Sequence, residues 1–224
     1  MTSNAPIGLL LSGGLDSCIL LGHLLEEGRR VRPFYIDSGL AWQAEEAAAA
    51  MRFLEAMTGP RLDPLVTLQL PLGDLYGGHW SVTGRDVPDA TTADEAVYLP
   101  GRNALLMIKA ALWCRMHGIE QLALGVLQSN PFSDTTADFF DHFESALNCG
   151  DGNPVRIVRP FAKFDKQQVM QLGRELPLQL TFSCIAPTGR QHCGRCNKCA
   201  ERRAAFRLIG TDDPTRYATS TKHE

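Results

Sequence analysis

At 224 residues, with 44% hydrophobic and 21% charged side chains, the chain has the make-up of one globular domain, or one domain with an appendage, and not of a disordered, collagenous or coiled-coil protein. A net charge of −3 argues against general nucleic-acid binding, and no apolar run approaches the ~20 residues that a membrane span needs. The polar start at Met1–Pro6 has neither the basic nor the apolar region of a secretory signal, so the expected setting is the cytoplasm.

Ile7–Leu11 is a short apolar run before a glycine turn and predicts a buried parallel strand. Ser17–Glu27 has helical spacing and stops at Gly28, a good residue to end a helix. Val31–Ile36 is a second strand, Trp42–Met57 an alanine- and glutamate-rich helix closed by Gly59-Pro60, and Leu65–Leu70 a third strand. Pro71–Pro100 carries glycines, prolines and the acids Asp86, Asp89, Asp94 and Glu95, and predicts a long loop of the kind that often serves as a lid. Arg102–His117 is a helix, Gln121–Val126 a fourth strand, and Thr135–Leu147 a helix with Asp134 as its N-cap. Val155–Val158 is a short strand, and Asp165–Leu176 opens on the capping-box pair Asp165 and Gln168. A cysteine cluster precedes a last helix at Ala200–Leu208, and the polar tail after Gly210 is expected to fray.

Alternating strands and helices predict an α/β fold, a parallel sheet covered on both faces. Its ligand cleft lies at the carboxyl ends of the strands, where the loops after Leu11, Ile36 and Val126 should meet. We divide the chain into an α/β domain at 1–180 and a small cysteine-rich helical module at 181–224. Residues 1–183 hold 14 basic and 21 acidic side chains (net −7), and residues 184–224 hold 8 and 4 (net +4). A basic module on an acidic body suits either an anion or plain solvation.

Ser12-Gly13-Gly14-Leu15-Asp16-Ser17 lies between the first strand and the first helix. Adjacent glycines let the backbone turn tightly and bring its amides close to a ligand. Amides at a helix N-terminus favour an anion, and the hydroxyls of Ser12 and Ser17 add donors. Asp16 repels phosphate unless Mg²⁺ lies between them. The segment has neither the lysine of a Walker A loop nor the glycine spacing of a dinucleotide fold.

Cys184, Cys193, Cys196 and Cys199 are spaced C-x8-C-x2-C-x2-C. Four thiolates with no open position suit a structural Zn²⁺ better than an iron–sulfur cluster, whose common bacterial run is spaced differently. Arg190, Arg195, Lys198, Arg202 and Arg203 offset the charge of a zinc tetrathiolate, and His192 reads as a surface histidine. Of the other three cysteines, Cys18 and Cys114 read as small buried residues, and Cys149 is assigned no chemistry.

The Ser-Gly-Gly-Leu-Asp-Ser segment resembles the pyrophosphate loop (PP-loop) of the adenine-nucleotide α-hydrolase-like ATP pyrophosphatases. Together with Leu99–Asn103, Gly125-Val126, Ser145–Asn148, Pro160-Phe161, Phe164–Lys166 and the four cysteines, nearly the whole chain resembles the 7-cyano-7-deazaguanine synthase family. The resemblance implies a Rossmann-like ATP-binding domain with a zinc module. It also implies two rounds of ATP use, through which 7-carboxy-7-deazaguanine and ammonia become first an amide and then a nitrile.

On that resemblance Leu11, Ser12, Gly13, Gly14, Leu15, Asp16 and Ser17 bind ATP, and Asp16 positions Mg²⁺. Arg102 neutralises a phosphate or the substrate carboxylate, and Asn103 orients a neighbouring loop. Lys163 and Lys166 stabilise charge on the transferring phosphoryl group, with a solvated first-turn residue the alternative for Lys166. Asp37 either touches the nucleotide or caps a helix. A homodimer is expected by analogy with the family, and nucleic acid is not expected as a partner.

Two segments depart from the family. Gln128-Ser129-Asn130-Pro131-Phe132-Ser133-Asp134 stands where the family usually has Glu-Thr-Asp, an aromatic residue and Ser-Gly-Tyr-Pro-Asp. Gln128 pairs only partly with a guanine-like edge, which leaves Asp134 or Asp138 as the carboxylate for it. Ser38–Trp42 replaces a tyrosine, glycine, glutamine and basic pair. These departures keep open an adenylating relative with another acceptor (another carboxylate, a tRNA base or a protein-linked deazaguanine). A nucleotide-binding scaffold without turnover is the third reading.

Overall fold

A computed structural model describes residues 5–150 and 152–219. The polar start at 1–4 and the end of the tail at 220–224 lie outside the described residues. Five parallel strands form one sheet: β1 (Ile7–Leu10), β2 (Val31–Asp37), β3 (Val66–Gln69), β4 (Gln121–Ala123) and β5 (Arg156–Val158). Their order is β3-β2-β1-β4-β5, so the winding direction reverses beside β1, between β1 and β4. Such a reversal opens a crevice at the carboxyl ends of those two strands.

Helices α1 (Leu15–Glu26) and α2 (Gln43–Ala56) cover one face. They are joined there by α7 (Lys166–Leu172) and α8 (Asn197–Leu208). The core of this face packs Leu9, Leu11, Ile19, Leu20, Phe53, Val169, Met170 and Phe206, all buried. Helices α5 (Arg102–Met116) and α6 (Ala137–Leu147) cover the other face, where Phe34, Met107, Cys114, Leu122, Phe140 and Ile157 close up. Burying one such Phe or Leu contributes roughly 1.5–3 kcal/mol. Cys18 and Cys114 lie in these cores, and burial pushes both thiols up, that of Cys114 to about 12.

The segment Pro71–Pro100 is more than the long loop its composition suggests. It contains α3 (Gly73–Tyr76), α4 (Trp80–Thr83) and a 3₁₀ turn at Asp94–Val97. It is pinned to the cysteine cluster, because Ala90 N–H donates to Arg195 O (2.9 Å) and Asn197 N–H to Pro88 O (3.0 Å).

Helix α6 starts at Ala137, capped by Thr136, whose hydroxyl accepts from Phe139 N–H (3.2 Å). The expected cap, Asp134, lies in the 3₁₀ turn Ser133–Thr135 and is buried. Its carboxylate accepts instead from the first turn of α5, at Asn103 N–H (3.4 Å). The Asp165–Gln168 capping box is present, and α7 ends at Leu172 before Gly173, four residues short of the expected end.

Helix α8 begins three residues earlier than its composition suggests, because Cys196 acts as its N-cap. The tail, expected to fray, folds back as far as residue 219. Ala218 N–H bonds to His192 O (2.8 Å), and Arg203 lies 3.9 Å over the Tyr217 ring.

Candidate active site

The loop after β1 turns at Gly13, whose φ of +77° is left-handed. A side chain there would meet the α2 backbone, with Glu46 O only 2.9 Å from its Cβ, so glycine is required twice over. Gly14 precedes α1 without any side-chain cap, which leaves the first-turn amides of α1 for a ligand. Ser12 Oγ and Ser17 Oγ lie 3.1 Å apart, and Ser17 Oγ donates to Gly14 O (3.2 Å), so both hydroxyls line the same concave turn. Gly125, just beyond β4, lets the neighbouring backbone close on the loop: a Cβ there would be 3.1 Å from Asp16 C.

The loop forms one end of a cavity of about 340 Å³. Lys166 Nζ lies there against both carboxylate oxygens of Asp16, at 2.9 and 2.8 Å. It also reaches Glu201 Oε1 at 3.3 Å, while Glu201 Oε2 takes Lys198 Nζ at 2.6 Å. Burial alone would lower the Lys166 ammonium pKa, but Asp16 and Glu201 outweigh it and the pKa is raised. Burial likewise pushes Glu201 up, but Lys198 and Lys166 hold it at about 2.

The other end of the cavity is aromatic and mixed in charge. Trp42 and Trp80 stack at 5.7 Å between ring centroids, and Tyr98 and Phe132 at 5.3 Å. Burial raises the Glu46 carboxyl, opposed by the charge of Arg102 and by a hydrogen bond from Tyr35 Oη (3.2 Å). Asp134 is 5% exposed. Its Oδ2 accepts from Asn103 N–H, and its backbone oxygen accepts from Asn103 Nδ2 (3.3 Å). Its Oδ1, and Nε of Arg102, are buried without a hydrogen-bond partner among the described residues. A buried carboxylate oxygen and a guanidinium nitrogen left in this way are costly unless a ligand meets them.

Behind the loop lies the knuckle. The sulfurs of Cys184, Cys193, Cys196 and Cys199 are buried within 4.8 Å of one another. Two of the separations, Cys184–Cys196 and Cys193–Cys199, are 3.9 Å. A tetrahedral zinc with Zn–S bonds of ~2.3 Å needs sulfur separations of ~3.8 Å, so the set fits that ion. Backbone amides also point at the sulfurs: Cys193 N–H and Ala186 N–H at Cys184 Sγ (3.2 and 3.4 Å), and Cys196 N–H at Cys193 Sγ (3.3 Å). These donors favour thiolates. Gly194, with φ +80°, turns the chain around the cluster.

Arg202, 1% exposed, clamps this part to the rest. Its guanidinium donates to Thr181 Oγ1 (2.8 Å) and Leu178 O (2.9 Å), while Phe182 N–H of the same stretch donates to Gly13 O (2.8 Å).

Leu11, Ser12, Gly14, Leu15, Asp16, Ser17, Arg102, Asn103, Asp134 and Lys166 thus converge on one cavity. Gln128 does not line it; the side chain is exposed, and that loop contributes Asn130, Phe132 and Asp134 instead. Lys163 and Asp138 are also exposed and outside the cavity lining. Asp37 binds Gly39 N–H (3.2 Å) and Gln69 Nε2 (3.0 Å), away from the cavity. His192 is buried, not on the surface as its sequence neighbours suggest. Its Nε2 accepts from Ser183 N–H (3.1 Å), and burial, helped by Arg202, lowers its pKa to about 3.

Glu46, Trp80, Tyr98 and Glu201 line the cavity with no sequence signal of their own. Glu46 looks like any exposed glutamate of an alanine-rich helix, and Glu201 like part of a solvated charged face.

A family model described as queuosine biosynthesis protein QueC matches residues 7–210. A 7-cyano-7-deazaguanine synthase of Methanothermobacter thermautotrophicus is 30% identical over 221 residues, covering 93% of this chain and 97% of its own. One of Thiobacillus denitrificans is 32% identical over 221 residues, covering 94% and 97%. Among solved structures, a 4-thiouridine synthetase–RNA complex with bound ATP is similar in fold, with a TM-score of 0.51 and 16% identity. That match covers 93% of this chain and 51% of the synthetase, so the chain spans about half of it. The sheet order, the loop after β1 and this likeness define an adenine-nucleotide α-hydrolase-like fold.

Proposed function

The chain belongs to the QueC family of queuosine biosynthesis proteins, and on that premise we propose that it is an ATP-dependent carbon–nitrogen ligase making 7-cyano-7-deazaguanine from 7-carboxy-7-deazaguanine and ammonia. The observation that carries this reading is one cavity with the anion-binding loop at one end and, at the other, Asp134 Oδ1 and Arg102 Nε, both buried without a hydrogen-bond partner among the described residues. No helix of the described residues is long and apolar enough to cross a membrane. A reducing cytoplasm suits the buried thiol cluster.

The acid's carboxylate is a poor leaving group until it is adenylated. Its oxygen attacks ATP, pyrophosphate departs toward the loop, and ammonia then displaces AMP to give the amide. The amide oxygen is adenylated by a second ATP, and AMP leaves with that oxygen as two N–H protons are lost, which makes the nitrile. The uncapped amides of α1 and the hydroxyls of Ser12 and Ser17 bind the departing pyrophosphate. Lys166 offers an ammonium to the same negative charge. Asp16 is the residue to hold Mg²⁺, which would neutralise phosphate charge. Cys184, Cys193, Cys196 and Cys199 would hold a structural Zn²⁺ away from the reacting atoms.

At the acceptor end, Asp134 Oδ1 takes the N–H and NH₂ donors of a guanine-type edge, and the stacked aromatic pairs flank the ring. Arg102 faces the substrate carboxylate or the α-phosphate. Asp134→Asn is expected to raise the KM for the acid roughly 10- to 100-fold, the cost of replacing a charged buried acceptor, and to leave the KM for ATP within about twofold. An unchanged KM for the acid in steady-state kinetics removes Asp134 from this role.

A mass-spectrometric assay with 7-carboxy-7-deazaguanine, ATP, Mg²⁺ and an ammonium salt tests the whole reading. Nitrile, AMP and pyrophosphate are expected together. Protein that binds ATP yet leaves this acid unchanged would favour a relative acting on another acceptor. The exposed Gln128 and the loop around it motivate that second reading.

A further inference from the structure

The reaction proposed above gives Asp16 and Lys166 separate tasks at the loop, yet they are paired with each other through both carboxylate oxygens. A magnesium ion on an Asp16 oxygen competes with Lys166 for the charge of that carboxylate and loosens the two-oxygen pairing. Lys166 then needs a second anion to keep its ammonium at the loop. We infer that Glu201 is that anion, a positioning residue that retains Lys166 when Asp16 lets go.

Three observations carry this. Glu201 Oε1 already lies 3.3 Å from Lys166 Nζ, in the wall of the same cavity. Its other oxygen is fixed by Lys198 Nζ at 2.6 Å, so the carboxylate is oriented and not free to swing after the lysine. Both residues stand at the start of α8, where Cys196 is the N-cap and Cys199 N–H bonds to Cys196 O (3.0 Å). The cysteine cluster therefore sets where this carboxylate stands. The four side chains Asp16, Lys166, Glu201 and Lys198 sum to zero charge, and neutralising Glu201 leaves the group at +1.

That charge arithmetic separates positioning from simple electrostatics. The inference rests on the loop binding pyrophosphate, so binding of inorganic pyrophosphate with Mg²⁺ is measured first by calorimetry on the metal-loaded wild-type chain. Glu201→Gln is expected to bind pyrophosphate as tightly as wild type or more tightly, because the site gains positive charge. Its kcat for AMP formation is expected to fall about tenfold or more, with no rise in the KM for ATP. Glu201→Asp is expected to restore part of kcat. Metal content by elemental mass spectrometry and the melting temperature are measured alongside. A kcat unchanged in Glu201→Gln overturns the inference, as does a kcat loss that tracks lost metal or a lower melting temperature. Wild-type protein that binds no pyrophosphate overturns the loop reading and the inference together; the other outcomes strike the inference alone.

Discussion

Replacing Asp16 by asparagine is expected to lower AMP and pyrophosphate formation at least about 100-fold, the usual consequence of removing one preorganised charge at a reacting phosphate, while the chain still folds. Asparagine has almost the same shape, and the hydrogen bonds that shape the loop run between Ser12, Gly14 and Ser17, not through the Asp16 side chain. The ion pair it breaks is only partly buried, with the side chains of Lys166 and Asp16 19% and 29% exposed, and Lys166 keeps Glu201. The stability loss should therefore stay near 1 kcal/mol, the upper end for exposed pairs. The binding data should split in a telling way. Without Mg²⁺, Asp16→Asn should bind ATP as well as wild type or better, because a negative charge beside the phosphates is gone. Adding Mg²⁺ should strengthen binding only in wild type. Calorimetry with and without the metal reads this directly, and pyrophosphate release by the variant at the wild-type rate would exclude Asp16 from the chemistry.

The residues that were legible in the sequence are those whose chemistry is local. Ser12–Ser17 gives itself away because strand, paired glycines and helix follow one another within a dozen residues, and the cysteines because four thiols in sixteen residues have few other uses. The strand–helix alternation fixed the sheet as parallel, and each of the five strands lies within two or three residues of its expected span. What stayed hidden depends on distant parts of the chain. Glu46 is drawn into the site only because α2 faces Arg102 of α5 across the cavity. Asp134 reads both as a helix cap and as a candidate carboxylate for the acceptor; Thr136 takes the cap, and the Asp134 carboxylate is buried beside Asn103. Lys198 and Arg202 read as charges offsetting a thiolate cluster, and Glu201 carries no signal of its own. In the structure Arg202 is a buried clamp, and the other two complete an ion chain that begins at Asp16. Four-residue helices such as α3 and α4 have too few turns to show a period, so Pro71–Pro100 looked featureless.

Cys199→Ser is expected to act further away than its position suggests. Loss of one of four buried thiolates should leave metal well below one equivalent per chain, since hard oxygen is a poor replacement for sulfur at zinc. Structural zinc in small domains is worth on the order of 10 kcal/mol of apparent binding energy, but the two cores that hold the sheet contain none of the four cysteines. The sheet should survive, and the loss should fall on a separate apolar cluster in which the cysteines pack with Leu40, Trp42, Leu99 and Phe182. Destabilisation of about 4 kcal/mol, the cost typical of opening a buried polar network, corresponds to roughly 10 °C in melting temperature for a chain of this size. Trp42 is a built-in reporter, buried in that cluster, and its emission should shift to the red while far-ultraviolet dichroism changes little. ATP binding should weaken at least tenfold as well, because α8 carries Lys198, Glu201 and the Arg202 clamp on the stretch that touches Gly13. Treating wild type with a strong chelator should reproduce all three changes, and returning Zn²⁺ should reverse them. A Cys199→Ser protein with wild-type melting and wild-type ATP binding would mean that the knuckle neither holds a metal of structural weight nor supports the site beside it.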